Sequence, residues 1–99
     1  MKNKLTYKIG NILIENGYRE IIVKDKRSIE ESEIQYACIK FKYKAKKDEG
    51  YLTFGTSKQN TLFEIAEDTI EEVIIDNDSI TIETEDKTYY CYQEIQIIP

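Results

Sequence analysis

The chain has 99 residues and a net charge of −5; 33% of its residues are charged and 40% are hydrophobic, which allows one domain with a modest core and leaves no room for a second. It contains no histidine and only two cysteines, so a Ser/His/Asp or Cys/His centre is excluded and an ordinary zinc site is not expected. Isoleucine and tyrosine recur at regular intervals rather than in isolated islands, which argues against disorder and for sheet.

The basic start is followed by an apolar run that Asn11, Glu15 and Asn16 interrupt. We expect neither a signal peptide nor a membrane span of ~20 apolar residues, and therefore a cytoplasmic protein with Cys38 and Cys91 as free thiols. Leu5, Ile9, Ile12 and Leu13 recur at the spacing of one helical face, and Gly17 stands where a helix-ending glycine belongs. The spacing predicts an N-terminal helix. Asn16-Gly17 is also a hairpin signal, and Gly10 would weaken a helix by about 1 kcal/mol relative to alanine.

Arg19 to Lys24 reads as a strand. The polar connection from Asp25 to Glu33 is expected to be a loop, with Ser28 and Glu31 at the spacing of one capped helical turn. From Cys38 to Lys47 the alternation is strict: Ile39, Phe41, Tyr43 and Ala45 fall on one face, Lys40, Lys42, Lys44 and Lys46 on the other. A turn over Lys47 to Gly50 would return Tyr51 to Thr56 antiparallel, with Leu52 by Ala45 and Phe54 by Tyr43. Ser57 to Asn60 is a polar turn, and Thr61 to Ala66 a further strand.

Thr69 to Ile98 reads as a three-strand meander. A two-residue turn at Asn77-Asp78 sets Val73 and Ile75 opposite Ile82 and Ile80. A turn over Glu85 to Lys87 would then set Ile82 against Tyr90 and Ile80 against Tyr92; a turn at Asp86-Lys87 would align Ile82 with Cys91 instead. Asp76 and Asp78 lack the glycine and distal glutamate of a calcium loop. Together these elements predict an α+β, predominantly β fold. Its five to seven strands would form a small twisted antiparallel sheet, or a partly open barrel or roll, behind a short helix.

Charge is distributed unevenly. Residues 1–47 hold 12 Lys and Arg against 6 acids, and residues 48–99 hold 2 against 13. The acidic half defines a candidate partner-binding surface: Glu67, Asp68, Glu71, Glu72, Asp76, Asp78, Glu83 and Glu85. It suits a non-enzymatic interaction module, a regulator, inhibitor or immunity-type protein, that docks on the basic surface of another protein, including one that binds nucleic acid. The alternative is a polyanion or nucleic-acid site on Lys40, Lys42, Lys44 and Lys46, about 7 Å apart along one strand face. Only two arginines are present, which lowers that alternative because phosphate and base recognition draws on arginine's bidentate fork. Meeting of the basic and acidic halves between copies would give a homo-oligomer. No metal and no cofactor is expected.

Overall fold

The computed structural model describes residues 4–93. Glu94 and the remainder of the predicted meander to Ile98 lie outside the described residues. A helix, α1 (Lys4–Glu15), is followed by β1 (Tyr18–Asp25), β2 (Glu31–Ile34), β3 (Cys38–Lys44), β4 (Glu49–Ser57) and β5 (Asn60–Ala66). A single 3₁₀ turn, Glu67–Thr69, leads into β6 (Ile70–Ile75), β7 (Ser79–Thr84) and β8 (Lys87–Gln93). The strands among the described residues number eight rather than five to seven. They form two antiparallel sheets, in the orders β2-β1-β8-β7-β6 and β3-β4-β5, and neither closes into a barrel.

The helix ends as its sequence predicts. Gly17 adopts a φ of 69°, Asn16 bonds back to the Ile12 carbonyl, and no hairpin forms at Asn16-Gly17. The buried stripe is Thr6, Ile9, Gly10 and Leu13, while Leu5 lies at the rim. Gly10 is explained by close approach, since a Cβ there would stand 3.2 Å from the Leu52 side chain. Tyr7 meets the Phe41 ring edge-on at 5.4 Å. Both sheets turn their apolar faces to one core with the helix: Ile21, Val23, Ile80, Ile82, Tyr89 and Cys91 from the larger sheet, Leu52, Phe54 and Ile65 from the smaller.

Three expectations are corrected. The connection after β1 is not a long loop and holds no helical turn. Asp25 Oδ1 accepts the Arg27 N–H, Ser28 Oγ accepts the Glu30 N–H, and the chain turns straight into β2, which pairs with β1. The β3–β4 turn comes earlier, over residues 45–48, where Asp48 takes a positive φ of 48°. Leu52 therefore lies opposite Phe41 and Phe54 opposite Ile39. This shift by an even number of residues preserves which face is apolar.

The third correction changes faces. The Asn77-Asp78 hairpin has the expected register, but the second turn occupies Glu85-Asp86. It is fastened by Thr84, whose hydroxyl accepts the Lys87 N–H at 3.1 Å. Ile82 lies opposite Tyr89, and Ile80 opposite Cys91. Tyr89 and Cys91 thus go into the core and Tyr90 and Tyr92 to the outer face, a one-residue slip that inverts the strand. Burial drives the choice, because Cys91 is fully enclosed where the larger Tyr90 and Tyr92 are not.

Candidate partner-binding surface

The core lies on one side of the five-stranded sheet, with the helix and the smaller sheet. The other side is open among the described elements. Register brings Glu33, Ile22, Tyr90, Thr81 and Ile74 into one row across all five strands. The next row is Glu31, Lys24, Thr88, Glu83 and Glu72. Glu20, Tyr92 and Ser79 follow on the other side of the apolar row. The result is an aliphatic and aromatic strip bordered by five glutamates and a single lysine. Lys24 lies over the Tyr90 ring, its Nζ 5.5 Å from the centroid.

Glu72 is directly opposite Glu83. Like charges in that position destabilise a strand pair by a few tenths of a kcal/mol or more. Neither carboxylate has an ion-pair or hydrogen-bond partner among the described residues. Asp76 and Asp78 stand exposed at the tip of the same hairpin.

Three of the other four predicted acidic residues are occupied. Glu67 Oε1 accepts both the Thr6 N–H at 2.9 Å and the Thr6 hydroxyl at 3.0 Å, serving the N-terminal turn of a helix 61 residues away in sequence. Glu71 faces Lys26 at 4.0 Å, and Glu85 faces Arg27 at 3.9 Å. Asp68 sits exposed in the 3₁₀ turn. Four of the eight, Glu72, Asp76, Asp78 and Glu83, therefore come together on the β6–β7 hairpin.

Glu20, Glu31 and Glu33 join them from the basic half of the chain. Alternation in β1 (Glu20, Ile22, Lys24) already sets those three residues on one face. Their position beside Tyr90 and Tyr92 depends on the β1–β8 pairing, for which no local signal exists.

The lysine face is the outer face of the smaller sheet. Lys44 Nζ lies 3.8 Å from Glu64 Oε2 and 4.2 Å from the centroid of the Tyr51 ring. Lys40 Nζ donates to the Lys58 carbonyl. The countercharge comes from Glu64 on β5. The Tyr51 hydroxyl donates to Glu49 at 3.0 Å; that bond first, then burial and the nearby acids, raises its pKa above the ordinary value. Lys42 and Lys46 have no acidic partner among the described residues.

Two clefts open elsewhere. One of about 290 Å³ lies between Leu13, Tyr18, Tyr36 and Cys38, and one of about 480 Å³ between Phe63, Thr84, Lys87 and Tyr89. Burial pushes Tyr89 up to about 12, with the Asp86 charge adding to it, and pushes Cys91 up to about 12. Both side chains are core residues. Among the described residues, no three His, Cys, Asp or Glu side chains form a group that could hold a metal ion. No described helix is long and apolar enough to cross a membrane.

The fold and this surface define a small, β-rich α+β protein with an acidic sheet face that no described element covers. No protein-family model, no curated protein and no solved structure matches the chain.

Proposed function

We propose that the protein is a non-enzymatic interaction module that docks on a basic protein surface through the outer face of its five-stranded sheet. The observation that carries this reading is Glu72 standing opposite Glu83, with no ion-pair partner for either among the described residues, beside the strip of Ile22, Tyr90, Thr81 and Ile74. A cationic partner relieves that repulsion while covering the strip. Tyrosine and isoleucine supply contact area, and the glutamates select the partner and speed encounter. Such a protein acts as a regulator or inhibitor by occupying the basic surface of its target. A cytoplasmic setting agrees with its two free thiols.

The polyanion reading has less support, since Lys40 and Lys44 are engaged within the smaller sheet and only Lys42 and Lys46 remain. Self-association of basic and acidic halves is likewise disfavoured, because acids from both halves share the open face.

Capture of partners from host lysate at low and high salt, with and without nuclease, tests the reading. A nuclease-resistant protein that is lost at high salt, and lost with Glu72→Lys/Glu83→Lys, is expected. Recovery of nucleic acid alone would move the function to the lysines.

A further inference from the structure

The two sheets expose four edge strands, and three of them are guarded. β2 is a four-residue strand with Glu31, Ser32 and Glu33 exposed. β3 carries Lys40, Lys42 and Lys44 along its length. β5 is interrupted by two register shifts against β4. Brevity, charge and bulges of this kind keep edges from pairing with other chains. β6 differs. Ile74 is 42% exposed on the outer face and Ile75 60% exposed on the opposite face, so both sides of the strand end offer aliphatic surface beside an unpaired backbone.

Which backbone groups are open follows from the hairpin. The Asp76 N–H bonds to the Ser79 carbonyl at 2.9 Å, which makes Asp76–Ser79 a hydrogen-bonded pair. Alternation along an antiparallel ladder then turns Ile74 and Glu72 toward β7 and directs the N–H and C=O groups of Val73 and Ile75 to the free edge.

A second copy is a poor occupant. Every antiparallel register that pairs the outward groups of Val73 and Ile75 with one another sets Glu72 opposite or diagonal to an acid of the other copy. In the three registers that acid is Glu72, Asp76 or Asp78. A cationic strand has the opposite effect, because it meets the unneutralised Glu72–Glu83 pair on the outer face.

We infer that β6 is the recognition edge: an extended segment of a basic protein adds to the sheet there, with lysine or arginine facing Glu72 and Glu83 and apolar residues beside Ile74 and Ile75. The inference rests on the reading of the acidic face as the docking surface, and it specifies how the partner is held.

The test uses the ¹⁵N-labelled full chain with a short synthetic peptide alternating lysine and valine, and a glutamate–valine peptide as charge control. The lysine peptide is expected to slow amide hydrogen exchange at Val73 and Ile75 at least about tenfold and to bind at least about tenfold more tightly than the control. Ile75→Pro removes one outward N–H without breaking the β6–β7 ladder, and it should abolish this binding. Glu72→Lys/Glu83→Lys should weaken it about tenfold or more.

Retained binding by Ile75→Pro, with exchange at Val73 and Ile75 unchanged in the wild type and binding lost only in the charge-reversed variant, would overturn the edge mode and leave the acidic face standing. Equal binding of the two peptides would overturn the cationic partner. A salt-stable dimer that Ile75→Pro dissociates would assign the edge to a second copy and overturn the inference.

Discussion

On the outer face of the smaller sheet, Lys44 lies across Tyr51 toward Glu64, and Lys40 is held by the Lys58 carbonyl. On the outer face of the larger sheet, Glu72 meets Glu83 with no ion-pair partner for either among the described residues, and Lys24 is the one amine placed among five glutamates there. The lysine run is more regular in sequence, yet the structure supplies Lys40 and Lys44 with internal partners. The acidic residues are scattered through the chain, and five converge on one face where Lys24, opposite Glu31, is the one amine among the described residues. A charge run is informative about binding only after its countercharges have been located.

The same contrast separates the acidic residues into those that serve the fold and those that do not, and the two sets should respond oppositely to removal. The largest effect is expected at high pH, from the buried Cys91 and Tyr89. Burial raises Cys91 to about 12 from 9.0 and, with the Asp86 charge, Tyr89 to about 12 from 10.0. Their neutral forms stabilise the fold fully below the unfolded values, and that contribution is lost as pH rises from about 9 to about 12. Denaturant midpoints should fall steeply across this window, and less steeply in Cys91→Ala. Cys38, partly exposed on β3, should react with a thiol reagent in the native state, whereas Cys91 reacts only on unfolding.

Next in size is Glu67→Ala, which removes the acceptor of the Thr6 N–H and hydroxyl. It should lower stability by about 1 kcal/mol, as loss of a helix cap does, measured by urea denaturation. Glu83→Gln is expected to act in the other direction, raising stability by a few tenths of a kcal/mol through relief of the cross-strand repulsion. The smallest change is expected for Glu64→Gln. The Lys44 pair is partly exposed, so its loss should move the midpoint by no more than about 0.5 kcal/mol, with any new polyanion affinity appearing as a steeper salt dependence. A destabilising Glu83→Gln or a neutral Glu67→Ala would break the division between the two sets.

The helix, β3 and the first meander turn were legible because each is specified locally: a 3.6-residue apolar spacing before Gly17, strict alternation from Cys38, and Asn77 at the turn. β2 was not, since its exposed residues carry no alternation and only Ile34 is buried. The second meander turn was misplaced by one residue. The Thr84 hydroxyl and the enclosure of Cys91 decide it, and neither is visible as a hydrophobic pattern.

Of the candidate surface, the sequence indicated Glu72, Asp76, Asp78 and Glu83 but assigned Asp68, which lies in the 3₁₀ turn, to the same role, along with Glu67, Glu71 and Glu85. Their partners Thr6, Lys26 and Arg27 lie far away along the chain. Glu20, Glu31 and Glu33 were hidden in the basic half, and only the β1–β8 pairing brings them beside Tyr90 and Tyr92.

The most direct measurement of the central claim is partner capture by three forms of the chain: wild type, Glu72→Lys/Glu83→Lys and Lys42→Gln/Lys46→Gln, each at low and high salt. Capture of a nuclease-resistant basic protein by the wild type and the lysine variant, but not by the charge-reversed one, is the predicted result. Undiminished capture by the charge-reversed form, or loss confined to the lysine variant, would contradict the account.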